Sequence, residues 1–409
     1  MMSKRGLAVI AIVALLVAAA GCGGGSEGGA GPTGKTDTGG ESVVAGGILR
    51  VGTTNQIDSL NPFVAFNANA YIAFIMTYPL LVQYGPGFKF EGDWAESWET
   101  SSDGKTWTFK LKPGKWSDGT PLTAEDAVFT CNVDIKYADT TAASHAVFIS
   151  HAEKCEAPDP QTLVITYDQP VGNVLPQLQQ WFVLPKHIWE PYTGNKGKDL
   201  KTYKPESKLP IPSAGPFIVT KYEKKGTTIF EKNPDWYGEE ALVDAVGLQL
   251  FTNDDAMVAA LQAGEVDYID GVPSNAIKTL EDDDSLVVEK NPGFQVNNFI
   301  FNSNPKKKVN RELLDPKVKE AIAHAIDRQE IADVVYAGNA EPVASIVAPV
   351  TGKWMNPNLK PEEFDIDLAN QILDEAGYKR GADGIRLDDQ GQKMSYEVIT
   401  PTGVPGINR

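Results

Sequence analysis

The sequence predicts an α/β protein. Three observations lead there: short runs in which apolar and polar residues alternate, longer stretches with apolar residues at helical spacing behind capping residues, and the interleaving of both kinds from Gly46 onward. Ile48-Leu49-Arg50-Val51-Gly52 reads as an opening strand, and Trp107 to Lys112 as a half-buried strand broken at Pro113-Gly114. Thr123 with Asp126 three positions on has the spacing of a capping box and opens a helix through Ala127, Val128 and Phe129. Asn253 caps a helix carrying Met257, Ala260 and Leu261, stopped by Gly264 and followed by a strand from Glu265 to Asp270. Asp315 and Pro316 start another, with Val318, Ile322, Ala325 and Ile326 on one face and Gly338 as its stop. Asp365 or Asp367 begins a third, carrying Leu368, Ile372 and Leu373 and ending at Gly377; Tyr396 to Ile399 reads as a further strand.

With 409 residues, 42% of them hydrophobic, the chain can bury substantial cores, and its length suggests two or three domains. The net charge of −17 comes without a basic stripe, Lys306-Lys307-Lys308 being the densest run, so nucleic acid is excluded as an expected partner.

Lys4 and Arg5 precede an apolar stretch from Leu7 to Ala20, which ends in Ala20-Gly21-Cys22. Fourteen apolar residues are too few to span a bilayer comfortably but suit a signal-peptide core, here residues 1–21. Small residues before a single cysteine resemble a bacterial lipobox, which makes Cys22 the expected lipidation site; a cleaved signal peptide with an incidental cysteine is the other reading. Residues 22–45 are rich in Gly, Ser and Thr and form a flexible tether. Gly29 to Thr36 spells the phosphate-loop pattern, but no strand feeds it and no helix leaves it, so nucleotide binding is not expected. Cys131 and Cys155 leave two readings open: a disulfide closing a loop of about 25 residues, worth on the order of 3 kcal/mol, or two buried free thiols.

A search for catalytic or metal chemistry returns no candidate. His145, His151, His187 and His324 show no metal-ligand spacing, no G-x-S-x-G elbow occurs, and Asp282-Asp283-Asp284 reads as a solvated acidic loop. No catalytic residue, metal or cofactor is expected. Aromatic and amide residues at loop positions (Phe63, Phe66, Asn67, Asn69, Tyr71, Trp181, Phe294, Asn297 and Asn298) are of the kind that line a solute cleft, although most aromatics pack in cores.

Four segments together resemble the family 5 bacterial extracellular solute-binding proteins, the peptide- and nickel-type binding components of ABC importers. They are Asp58-Ser59-Leu60-Asn61-Pro62; AESWETSSDGKTWTFKLKPGKWSDGTP from Ala95 to Pro121, running on to Asp126; Gly215-Pro216-Phe217 with Asn233-Pro234-Asp235-Trp236-Tyr237-Gly238; and Asp315 to Arg328, with Leu373 to Tyr378 beyond.

The resemblance implies a two-lobe, type II periplasmic-binding-protein-like α/β fold with an accessory domain. Lobe I takes residues 46–66 and 206–294, the accessory domain 67–205, and lobe II 295–409. Family members continue beyond the equivalent of Arg409, so lobe II is expected to be incomplete. Matched by position, Phe66, Asn67, Ala68, His145, Asp270, Phe294, Asn297 and Asn298 are the implied ligand-binding residues. The implied function is capture of di- or oligopeptides or similar small solutes, outside the cytoplasmic membrane, by a lipid-anchored monomer that delivers them to permease subunits. Oligosaccharide, opine or chelated nickel are the alternative solutes; a secreted hydrolase or a receptor-like descendant are the alternative functions.

Overall fold

The computed structural model describes residues 45–269, 271–291, 293 and 295–399. The chain divides into two compact units, Met1–Gly271 and Val272–Arg409, a boundary ahead of the lobe crossover near residue 294 implied by the resemblance.

In chain order the main elements of the first unit are β1 (Ile48–Thr53), α1 (Ala68–Thr77), β2 (Ala95–Thr100), β3 (Thr106–Leu111), α2 (Ala124–Tyr137), β4 (Ala152–Asp159), β5 (Thr162–Tyr167), β6 (Phe217–Lys221), β7 (Thr227–Lys232), β8 (Ala245–Leu250), α3 (Asp254–Gln262) and β9 (Tyr268–Ile269). A five-stranded sheet has the order β6-β7-β8-β1-β9. Within it β1 runs parallel to β8 (Val51 opposite Leu248) and to β9 (Gly52 opposite Ile269), while β6, β7 and β8 are antiparallel. A four-stranded antiparallel sheet, β2-β3-β5-β4, forms separately, and Cys131 of α2 is bonded to Cys155 of β4 beside it.

The capping box is present: Thr123 N–H donates to Asp126 Oδ2 at 3.1 Å, and α2 follows. Asn253 accepts from Ala256 N–H at 2.8 Å and starts α3. Of the strand expected over Glu265–Asp270, Tyr268 and Ile269 are strand among the described residues, where β9 pairs with Val51 and Gly52 at the end of the sheet order.

Several motifs that carry the resemblance are packing devices. A Cβ on Gly215 would stand 2.6 Å from the Met76 carbonyl, and Gly215 N–H donates to Thr77 O, so only glycine lets this segment close on the end of α1. Asn233 donates to Gly215 O at 2.8 Å, and Tyr237 donates to Asp93 at 3.0 Å. Trp94, Trp116, Trp181 and Trp189 are all fully buried. Each such ring removes well over 100 Å² from water, on the order of 3 kcal/mol or more.

The second unit contains α4 (Ser274–Glu281), α5 (Pro316–His324) and α6 (Ile366–Glu375). Asp315 and Asp365 cap α5 and α6, and Ala321, Ala369 and Ile372 form the core between these helices. The helix expected to run to Gly338 stops at His324. Asp327 re-caps the chain by accepting from Glu330 N–H, and Arg328 donates to Ala323 O at 2.9 Å, holding the break open. Tyr396–Ile399, expected as a strand, is not one and pairs with no strand among the described residues; the nearby bridges are isolated ones, Arg380 with Arg386 and Leu387 with Lys393.

Candidate functional site

Parallel strands gather loops at their C-terminal ends, where ligands of open α/β sheets bind. At that end of β1 the chain leaves Thr53 and wraps through residues 54–67 before entering α1, and Thr54 Oγ1 donates to Asp254 at the start of α3 (3.2 Å). The wrapping loop is held by its own polar residues. The Asp58 carboxylate accepts the backbone N–H groups of Phe66 (3.0 Å) and Asn67 (3.2 Å). Asn61, buried, donates to Leu200 O (2.7 Å) and Tyr203 O (2.8 Å) and accepts from Phe63 N–H (2.9 Å). Leu60 and Phe63 are driven into the core beneath.

Such a scaffold presents Phe66, 79% exposed, from a backbone that cannot easily retract it. Asn67 precedes α1 without capping it through its side chain, which instead donates to Gln56 O at 3.3 Å; Ala68 is exposed beside it. Asn69, by contrast, is buried and ties α1 to β1 through Thr53 Oγ1 and Asn55 O. The half-buried ring of Tyr71 meets Phe74, Phe148 and Phe182, and burial, with the Asp58 charge nearby, pushes its phenol above the ordinary range.

His145 lies under this surface, 1% exposed. Its Nδ1 is 2.8 Å from Asp134 Oδ2, which also accepts Trp181 Nε1–H at 2.8 Å. The imidazole ring packs against Phe63 (5.7 Å), Phe182 (6.1 Å) and Phe148 (6.3 Å), and its Nε2 has no hydrogen-bond partner among the described residues. Through Phe63 it therefore touches the loop that presents Phe66. Phe63 and Trp181 are core residues.

In the second unit Asn297 donates to Tyr336 OH (2.6 Å) and Asn298 to Val296 O (3.1 Å), both exposed. Asp270, Phe294 and Cys22 lie outside the described residues. Among the described residues no group of three or more His, Cys, Asp or Glu side chains is arranged to hold a metal ion, and no helix is long and apolar enough to cross a membrane.

Sequence reasoning missed Asp58 and Asp134 as organisers. Asp134 had a signal: it falls on the same α2 stripe as Ala127 and Cys131, and a carboxylate on a buried stripe must have partners.

Residues 89–406 match the sequence profile described as "Bacterial extracellular solute-binding proteins, family 5 Middle". The chain belongs to this family. A protein of Brucella ovis provisionally named as an ABC transporter peptide-binding protein is 31% identical over 349 residues, covering 83% of this chain and 61% of its own length. The oligopeptide-binding protein AppA of Bacillus subtilis is 27% identical over 365 residues, covering 88% of this chain and 64% of its own. The chain thus spans a little under two thirds of the length of these relatives. Among solved structures, the periplasmic binding protein DppA of Helicobacter pylori in complex with the peptide STSA matches with a TM-score of 0.69 and 26% identity, covering 82% of this chain and 67% of that one. The family 5 chain described here thus has the type II periplasmic-binding-protein fold, as its sequence motifs imply.

Proposed function

We propose that the chain is the extracytoplasmic solute-binding component of an ABC importer, that its solute is a peptide, and that it binds without turnover. The observation that carries the reading is the pinned, exposed Phe66 at the C-terminal ends of the parallel strands, in a member of a family whose named relatives bind peptides. An exposed aromatic on a backbone restrained by two N–H bonds to the Asp58 carboxylate offers apolar contact at reduced entropic cost. Phe66, Asn67 and Ala68 are the proposed contacts in this unit, Asp270, Phe294, Asn297 and Asn298 the proposed contacts further along the chain. His145 is assigned a supporting place beneath them, in accord with its burial.

The leader, Cys22 and the tether through Ala45 support a lipid-anchored monomer outside the cytoplasmic membrane, with a reach of roughly 27 Å by random-coil scaling, that hands its solute to permease subunits. The proposed division is lobe I from 46–66 and 206–294, an accessory domain from 67–205 and lobe II from 295.

A thermal-shift screen of the protein against short peptides, oligosaccharides, opines and nickel chelates tests the solute class. A peptide at about a hundred times its Kd should stabilise the native state by roughly 2.7 kcal/mol. Silence with every peptide and a clear response to a sugar, opine or chelate would overturn the peptide assignment, and peptide cleavage would overturn binding without turnover. Cys22→Ala, followed by labelled fatty-acid incorporation, tests the anchor.

A further inference from the structure

In a chain of net charge −17, residues 195–208 carry five lysines (196, 198, 201, 204 and 208) against two carboxylates, Asp199 and Glu206. All five lysines are exposed, and none forms an ion pair among the described residues. A charge run is most often a solvated, mobile face. This one is fastened down. Leu200, Pro205 and Gly197 are buried, Tyr203 stacks on Tyr192 at 4.2 Å, and Asn61 holds the carbonyls of Leu200 and Tyr203.

The segment begins in a tight turn, with Gly197 N–H donating to Gly194 O and both central residues left-handed: Asn195 at φ 50° and Lys196 at φ 57°. Asparagine suits such a position; lysine is unfavourable there. The turn sets Gly197 against the Tyr137 ring, where a Cβ would come within 2.8 Å, and Lys136 Nζ lies 5.2 Å from the centroid of that ring. Packing therefore seats Gly197, flanked in sequence by Lys196 and Lys198, against the tyrosine over which Lys136 lies, and none of these three lysines forms an ion pair among the described residues.

We propose that this lysine face docks on an anionic phospholipid bilayer and so sets the orientation of the tethered body. The setting is the extracytoplasmic, anchored location proposed above, whereas the electrostatic face is testable without it. Charge complementarity selects the partner. A body this acidic is repelled by anionic headgroups over most of its surface, and the Debye length of about 10 Å confines attraction to the face that touches them. A tether of roughly 27 Å reach keeps that face at high local concentration, so a weak patch suffices. Each lysine at an anionic surface contributes roughly fivefold in binding.

The test uses the full chain carrying Cys22→Ala, so that no acyl group contributes, in flotation with vesicles of phosphatidylcholine alone or with about one-third phosphatidylglycerol. The parent should prefer the anionic vesicles by about tenfold or more, and the preference should vanish near 0.5 M salt, where the Debye length is only about 4 Å. Replacing Lys136, Lys196, Lys198, Lys201 and Lys204 by Gln should abolish the preference at an unchanged melting temperature; should that variant not fold, Lys196→Gln with Lys198→Gln should reduce it severalfold. Lys306→Gln with Lys308→Gln, in the second unit's basic run, should leave it intact. Equal binding of the parent to both vesicles, undiminished preference in the lysine variants, or loss only in the Lys306/Lys308 variant would each overturn the proposal. Lysine dependence seen with permease subunits but not with vesicles would overturn it in favour of an acidic protein partner. Failure of the anchor would appear separately, as absence of fatty acid on Cys22.

Discussion

Replacing Asp58 by alanine removes the acceptor for two backbone N–H groups, those of Phe66 and Asn67, without deleting any side chain of the presented surface. Hydrogen bonds to a charged acceptor contribute about 1.5–3 kcal/mol when buried, and about 1 kcal/mol each is appropriate at this half-buried position. The turn from residue 64 to 67 would thus lose about 2 kcal/mol of restraint, a factor of about thirty in the ratio of ordered to open forms. Apparent affinity falls with the competent fraction. The expected weakening of peptide binding runs from about twofold, if packing of Phe63 holds the turn in reserve, to about thirtyfold if it does not. Calorimetric titration with the strongest peptide from the thermal-shift screen measures it. Asp58→Asn keeps one acceptor oxygen and should fall between. Phe66→Ala sets the scale: if Asp58 acts only by presenting Phe66, the double variant binds no worse than Phe66→Ala alone. The Tyr71 phenol, raised by burial and by the Asp58 charge, should titrate at lower pH in Asp58→Ala. Parent-like affinity in a folded Asp58→Ala protein would refute the presentation mechanism.

Asp134→Ala leaves His145 Nδ1 and Trp181 Nε1 buried without an acceptor and should cost about 3–5 kcal/mol in urea unfolding, Asp134→Asn roughly half as much; a cost below about 1 kcal/mol would mean the trio does not hold the core together. Gly197→Ala places a Cβ against the Tyr137 ring at φ +78° and should destabilise by about 1–3 kcal/mol, read as a fall in Tm, whereas an unchanged Tm would contradict the tight packing of this turn. Burial works to raise the Asp267 carboxyl, but the hydrogen bonds and charge of Arg50 outweigh it and hold it below the usual carboxylate range. A depressed folded-state value means stability that is complete above the unfolded value of about 3.9 and lost as pH falls through the folded one. Asp267→Asn should accordingly flatten the acid limb of a stability–pH curve, and an identical limb in both proteins would count against the pair.

Local signals were legible in the sequence wherever one residue decides the outcome. Asn253, Asp315 and Asp365 each cap a helix through their own side chain, and Thr123 and Asp126 form their box, because these contacts span three residues or fewer. What depends on distant partners was not legible. The pairing of β1 with β8 joins segments some two hundred residues apart, and the place of Tyr268–Ile269 beside Val51 and Gly52 is likewise set by a partner far back in the chain. Likewise Asp327 lay within the helix expected to run to Gly338, since a re-cap and an ordinary helical aspartate look the same until Arg328 is seen reaching back to Ala323 O.

The candidate site divides in the same way. Phe66 and Asn67 can be located by resemblance, but their rigidity comes from Asp58, eight residues earlier, and from Asn61, whose carbonyl partners Leu200 and Tyr203 lie about 140 residues away. His145 carries no mark of burial in its own neighbourhood; its position is dictated by Asp134 on α2 and by Phe63 on the presenting loop. These contacts form one connected chain, from Asp134 through His145 and Phe63 to the loop of Phe66. A substitution at Asp134, wholly buried and out of reach of solvent, should therefore loosen the exposed aromatic as well as the core, and solute affinity should fall together with stability rather than independently of it.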